Sequence, residues 1–227
     1  MAGQSSGGGG VASASFIGRT LKSTIFWLFI QILMIMVLVP GSWLRTVVEK
    51  EDVWLYEQLG VETASYVENK GFEWYNLTLV ETGVTAQVAS LFFITEEQRA
   101  RSIGIQDLGQ SGWFPWIEGR GEALRYLLIQ VFERLAHIWL WIPYAAILLL
   151  PAAWDGFMTW KMRQVSFEYS SPFWHRFSIN TTSLVFMSLA VGLFCPLPIP
   201  PFILPMVIVF LVPVLSIALI SNMPKRL

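Results

Sequence analysis

Four apolar blocks, each about 20 residues long, dominate the pattern of the chain. A helix needs about 20 apolar residues to cross the roughly 30 Å hydrocarbon core of a bilayer. The pattern therefore predicts an all-α integral membrane protein with four transmembrane helices, at residues 24–43, 135–153, 178–195 and 202–221. We expect the first block to be retained as a span, because no small-x-small cleavage site follows it.

The longest hydrophilic stretch, residues 44–134, separates the first two blocks and is predicted to be a mostly helical periplasmic domain. Its first part has apolar residues at helical spacing, which predicts an amphipathic helix: Leu44, Val47, Val48, Leu55 and Leu59. Thr85 to Phe93 predicts a second short helix. Gly60, Gly71 and Gly83 predict breaks. Residues 104–121 contain five glycines and a proline, and predict a loop.

The remaining connections are short. Residues 1–23 are rich in Gly, Ser and Ala, and predict a flexible cytoplasmic tail. Residues 196–201 contain four prolines, which cannot continue a helix, and predict a tight periplasmic turn. Residues 222–227 form a cytoplasmic tail.

Residues 154–177 are predicted to be a cytoplasmic amphipathic loop rich in aromatic and basic side chains. Helical spacing recurs in the apolar set Trp154, Phe157, Met158, Met162 and Val165. Lys161 and Arg163 fall on the opposite face. Such a helix suits the membrane interface or a protein partner. Ser171 followed by Pro172 is typical of a helix start.

Composition and charge agree with a membrane protein and give its orientation. Hydrophobic residues make up 54% of the chain and charged residues only 14%, against about 25% charged residues in soluble domains. Residues 44–134 hold 8 Lys and Arg against 14 Asp and Glu, whereas the rest holds 7 against 2. Basic residues favour cytoplasmic loops, so we expect both termini in the cytoplasm of a bacterial cell and the acidic domain in the periplasm.

Candidate chemistry is sparse. The single cysteine, Cys195, excludes an internal disulfide. Glu133 and His137 share a helix face, but a metal site needs three or four ligands and no other histidine is predicted on that side. His175 beside Arg176 is typical of a basic anchor at the lipid headgroups. We expect no catalytic residue, no metal and no cofactor, and we do not expect an enzyme.

A set of residues after the second span resembles a motif of a known family. The pattern is an Asp-Gly pair, a basic helix and an aromatic-x-Tyr-x-Ser-Pro segment, represented here by Asp155, Gly156, Lys161, Arg163, Phe167, Tyr169, Ser171 and Pro172. It resembles an uncharacterised family of bacterial membrane proteins, encoded by integrating conjugative elements and conjugative plasmids near the type IV coupling ATPase. The chain length and the four-span layout agree with that family.

The resemblance implies a role in conjugative DNA transfer and association with the coupling ATPase. The resulting hypothesis is a non-enzymatic inner-membrane accessory subunit of a type IV secretion apparatus. Its partners would be the lipid bilayer and the coupling ATPase or other channel subunits, with homo-oligomers also open and no direct nucleic-acid binding expected. The eight motif residues are then candidates for partner binding.

Two other functions stay open at this stage. An exclusion factor or other surface-recognition protein would act through residues 44–134. A small transporter is the other alternative, and it is disfavoured because the spans contain almost no ionisable residues.

Overall fold

The computed structural model describes residues 8–92, 113–166 and 172–223, which form helices and short turns with no strand among them. The helices are α1 (Gly8–Leu38), α2 (Gly41–Tyr75), α3 (Val84–Phe92), α4 (Trp113–Val165), α5 (Pro172–Leu193) and α6 (Ile203–Ser221). Single π-helical segments follow α2 at Asn76–Val80 and interrupt α6 at Val207–Leu211. The predicted all-helical fold is confirmed for the described residues.

Among the described residues, three helices are long and apolar enough to cross a bilayer: Leu21–Leu38, Trp116–Val165 and Ile203–Ser221. A fourth apolar helix, Phe177–Leu193, is shorter. These four segments overlap the four predicted spans, while the number of crossings stays a prediction. With 53 residues, α4 is about 80 Å long, so it is far longer than the thickness of a hydrocarbon core.

The directions of the four apolar helices alternate along the chain. Gln31 of α1 donates to the Val191 carbonyl of α5 at 3.0 Å, and Trp43 donates to the Pro196 carbonyl at 3.0 Å, so α1 and α5 run the same way. His137 lies 2.9 Å from the Pro201 carbonyl, and a Cβ on Gly156 would lie 3.2 Å from the Ile217 Cα. Hence α4 and α6 run together. The end of α5 and the start of α6 both contact α4, at Arg134 and His137, so α5 and with it α1 run in the opposite direction.

The first helix starts and ends earlier than the predicted span. The part of the 1–23 tail that the structure describes is helical from Gly8, since a helix nucleated by the apolar segment extends at little cost per residue. That first helix ends at Leu38, five residues before the predicted end of the span, because Pro40 takes an extended backbone (φ −72°, ψ 149°) and starts α2.

The predicted loop at 104–121 is helical from Trp113 onward. Pro115 falls in the first turn, where its missing N–H breaks no helical bond. Gly121 is buried, and a Cβ on Gly41 at the start of α2 would lie 3.1 Å from the Ala123 backbone nitrogen. The small residues therefore bring α2 against α4 and do not mark a break.

α2 folds back on itself at Gly60, as predicted. Gly60 has φ 77° and ψ 165°, a conformation that residues with a Cβ adopt only at a cost. A hydrogen bond of 2.8 Å from the Tyr56 hydroxyl to Glu68 spans the bend. Gly71, by contrast, lies inside the helix, where a Cβ would come within 3.0 Å of the Glu133 Cα. The prediction of a break at Gly71 is therefore wrong.

The two halves of α2 pack on α4 through small apolar clusters. One cluster joins α1, α2 and α4 through Ile35, Leu44, Ala123 and Leu127. The second joins both halves of α2 to α4 through Leu55, Ala64, Val67 and Ala136. The predicted amphipathic stripe of α2 is thus confirmed, and it faces α4.

We expect Gly60→Ala to lower the free energy of unfolding by about 1–3 kcal/mol, the usual cost of a strained backbone. Because no atom lies within 4 Å of the added Cβ, the loss would come from the backbone alone. Gly119→Ala is the matched control, since its Cβ also meets no atom within 4 Å but it lies within helix α4. Denaturant unfolding followed by circular dichroism measures both, and equal stability of the two variants would contradict the assignment.

Candidate functional site

Four of the eight residues predicted to bind a partner lie at the C-terminal end of α4: Asp155, Gly156, Lys161 and Arg163. Asp155 and Lys161 are exposed. Phe167, Tyr169 and Ser171 lie outside the described residues. Pro172 is the first residue of α5, as the predicted helix start requires. The partner-binding role of the set stays a prediction.

Two motif residues have structural contacts of their own. Gly156 is buried against α6, where a Cβ would lie 3.2 Å from the Ile217 Cα. Arg163 donates to the Ser221 carbonyl at 3.1 Å and to the Asn222 side-chain oxygen at 3.2 Å. Both residues therefore hold the end of α6 against α4.

The apolar side chains of this helix end are exposed, like others along α4. Trp154 is 65% exposed, Met162 63% and Val165 87%. Phe157 contacts the Trp154 ring at a centroid distance of 6.1 Å, and the Lys161 ammonium lies 5.6 Å from the Phe157 ring centre. The helical spacing predicted from the sequence is confirmed. We call this the aromatic end of α4, defined by residues 154–165.

A buried ion pair lies nearer the other end of α4. The Arg134 side chain is 5% exposed and that of Glu51 13% exposed. The guanidinium binds the carboxylate through both Nε and Nη2, with 3.1 Å between Nε and Oε2. Two-point binding of this kind is among the strongest polar contacts in proteins. It joins α2 to α4 across 83 residues of sequence.

Arg134 also caps the C-terminal end of α5. Its guanidinium donates to four backbone carbonyls in and after the last turn: Gly192 at 2.6 Å, Leu193 at 3.0 Å, Cys195 at 3.0 Å and Leu197 at 2.8 Å. The last carbonyls of a helix have no partner within the helix. Arg134 supplies that partner, so the Pro-rich turn is held against α4.

Glu51, on α2, binds the Pro-rich turn as well as Arg134. Besides Arg134, its carboxylate accepts hydrogen bonds from the Ile199 backbone N–H at 2.8 Å and from the Gln130 side chain at 3.2 Å. Gln130 is fully buried. Each of these donors offsets part of the cost of removing a carboxylate from water. Glu51 and Arg134 thereby connect α2, α4 and the Pro-rich turn at one point.

Two more arginines of α4 cap other helices in the same way. Arg120 donates to the carbonyls of Met36, Val37 and Val39 at the end of α1, at 2.9–3.2 Å. Arg163 caps α6, as described above. Three arginines on one long helix thus each satisfy the C-terminal end of a different apolar helix.

A cavity of about 40 Å³ lies next to the ion pair. Its polar lining includes Asp52, Glu133 and His137, while Leu55, Val67 and Leu204 supply apolar wall. Burial, and then the neighbouring carboxylates of Glu68, Glu51 and Glu49, raise the pKa of Asp52 to about 6. Within the described part of the chain, no three acidic, His or Cys side chains are placed to hold a metal ion.

The sequence analysis did not predict the buried cluster of Glu51, Gln130 and Arg134, although the positions of the two charged residues indicate it. Glu51 falls on the apolar stripe of α2, three residues after Val48 and four before Leu55. Arg134 falls on the stripe of α4, seven residues after Leu127. A charged residue at an apolar position of an amphipathic helix indicates a buried partner, because an unpaired buried charge is costly.

Comparison with known proteins gives one family. A family model described as "IncC plasmid conjugative DNA transfer protein DtrJ-like" matches residues 38–223. The matched region contains α2 to α6, and so includes the buried cluster and the aromatic end of α4. Comparison with curated proteins and with solved structures gives no match.

The raised pKa of Asp52 predicts a pH-dependent stability. Between about pH 4 and 6 the folded protein binds more protons at Asp52 than the unfolded chain does, so this residue lowers stability as the pH rises. Asp52→Asn removes the effect. The melting temperature of Asp52→Asn minus that of the wild type should therefore increase from pH 4 to about 6 and then level off.

Thermal unfolding in detergent micelles at several pH values measures this difference. Glu57→Gln, which removes an exposed carboxylate from the same helix, is the control for the loss of one negative charge. A difference between Asp52→Asn and the wild type that stays constant from pH 4 to 7 would contradict the assignment.

Proposed function

We propose that this chain, which belongs to the DtrJ-like family of IncC plasmid conjugative DNA transfer proteins, is a non-enzymatic inner-membrane subunit of the conjugative apparatus. Membership of the family indicates that the chain takes part in conjugative DNA transfer. The finer role rests on one observation: an exposed apolar surface at the end of the longest helix, next to basic side chains. Such a surface suits a subunit that anchors or positions another membrane component.

The placement in a membrane is supported by the arginine caps. Arg134 and Arg163 are 29 residues apart on α4, which corresponds to about 44 Å. A bilayer with its headgroups is about 40–45 Å thick. The two arginines would therefore lie in opposite headgroup layers, each capping the end of an apolar helix. The alternating helix directions agree with four crossings and with both termini in the cytoplasm.

The docking surface is the aromatic end of α4, together with the motif residues that follow it. Trp and Met are adaptable contact residues, and exposed aromatic side chains are enriched at protein interfaces. Lys161 adds a positive charge beside the rings. The resemblance noted from the sequence implies the membrane part of the type IV coupling ATPase as partner, and we propose that this partner binds here.

The buried Glu51–Arg134 pair supports a non-enzymatic role only for these two side chains. The guanidinium of Arg134 and the carboxylate of Glu51 bind each other and the backbone, so both serve the fold. A catalytic pair would instead leave one group free to reach a substrate.

The proposal predicts that Trp154→Ala combined with Met162→Ala weakens recovery of the coupling ATPase about tenfold or more, the scale of losing interface anchor residues. The experiment is co-purification from mild detergent with tagged full-length protein, with transfer frequency measured in parallel. Phe167→Ala combined with Tyr169→Ala should act in the same direction. Membrane levels of the variants should equal those of the wild type.

The control is Ile147→Ala combined with Leu150→Ala, which removes exposed apolar side chains (68% and 71%) from the middle of the apolar segment of the same helix. This pair should leave recovery and transfer unchanged. Normal recovery and normal transfer in the Trp154 and Met162 double variant would contradict the docking surface. Loss of ATPase recovery and of transfer in the Ile147 and Leu150 double variant would instead place the partner contact within the membrane span.

A further inference from the structure

The polar residues around the cavity beside the Glu51–Arg134 ion pair have no part in the proposed docking of a partner. It lies where α5 ends and α6 begins, and α2 and α4 close its other sides. Its polar lining includes Glu51, Asp52, Glu133, Arg134 and His137. A volume of about 40 Å³ accommodates a group of a few heavy atoms.

Among the described lining residues, neither the Arg134 guanidinium nor the backbone of residues 199–201 offers this cavity a free N–H donor. Arg134 has five N–H groups, and its Nε, Nη1 and Nη2 atoms all donate to Glu51 or to backbone carbonyls. The Ile199 N–H donates to Glu51. Pro200 and Pro201 have no N–H group. Arg134 and this part of the turn therefore have no N–H left for a ligand.

The acceptors, in contrast, are free. Among the described residues, no cation lies within ion-pair distance of Asp52 or Glu133. His137 is 5% exposed, and its Nε2 lies 2.9 Å from the Pro201 carbonyl. A carbonyl oxygen only accepts, so Nε2 carries the proton and Nδ1 of the neutral ring is an acceptor. That Nδ1 atom is buried without a partner.

We propose that the cavity binds a primary ammonium group, with the headgroup of phosphatidylethanolamine as its source. An ammonium group has a positive charge and N–H donors in several directions, which complements the Asp52 carboxylate, the side-chain carbonyl oxygen of Glu133 and an imidazole acceptor. The metal alternative is disfavoured by the absence, among described residues, of three suitably placed ligands.

A lipid is favoured as the source by the surroundings of the cavity. Trp139 and Phe202, which are 52% and 56% exposed, lie next to lining residues in the sequence or one helical turn away. The cavity is at the ends of two apolar helices, the depth at which headgroups lie if these helices cross a bilayer. This inference rests on the proposed membrane location but is independent of the docking partner.

The test compares two lipids that differ in N–H donors and not in charge. Full-length protein is reconstituted into vesicles with equal mole fractions of phosphatidylethanolamine and phosphatidylcholine of the same acyl chains, then extracted, and retained lipid is counted by native mass spectrometry at pH 7.5. We expect one phosphatidylethanolamine to be retained at least about tenfold over phosphatidylcholine, the scale of one charge-assisted hydrogen bond. Equal retention of the two lipids in the wild type overturns the lipid source without any variant.

Variants then assign the site. Asp52→Asn combined with Glu133→Gln should abolish the preference, whereas Glu57→Gln, an exposed carboxylate on α2, should keep it. Unchanged preference in the double variant overturns the proposal. Added ethanolamine should compete with the lipid; binding of ethanolamine by a protein that shows no lipid preference would support the ammonium site and overturn the lipid source. None of these outcomes depends on recovery of the coupling ATPase.

Discussion

The buried pair of Glu51 and Arg134 connects parts of the chain that lie 83 residues apart in sequence. Arg134 supplies donors to the end of α5, and Glu51 accepts the Ile199 N–H of the Pro-rich turn. Burying two charges is costly, and mutual attraction repays that cost only when the remaining hydrogen bonds are made. Here the backbone supplies them. The pair therefore fixes where α2, α4, α5 and the start of α6 meet.

The same chemistry recurs along α4. A helix that ends near apolar surroundings leaves carbonyls without partners, and water is scarce there to satisfy them. Arg120, Arg134 and Arg163 each supply donors to one such end. One long helix can therefore order three others, and the last of these contacts, at Arg163, lies within its aromatic end.

Sequence periodicity predicted the elements better than their junctions. The stripe of α2, the short α3 and the start of α5 at Pro172 follow from local spacing. The start of α4 does not follow from local spacing, because Gly121 and Pro115 are typical of loops. The close approach of Gly41 to this part of α4 explains the small residues, and it is visible only in the structure. Gly156 was assigned to a motif for partners, yet it packs against α6. The pairing of Glu51 with Arg134 depends on contact across 83 residues, which no local pattern contains.

A double-mutant cycle on Glu51 and Arg134 tests the central claim most directly. Unfolding free energies would be measured in detergent for Glu51→Gln, Arg134→Met and the double variant. Each single change should cost about 3–5 kcal/mol, and the double variant should cost less than their sum by at least about 2 kcal/mol. The exposed pair of Arg45 and Glu49, at 2.8 Å and 63% and 60% exposed, is the control and should couple by less than about 1 kcal/mol. Additive effects at Glu51 and Arg134, or costs as small as those at the exposed pair, would contradict the account.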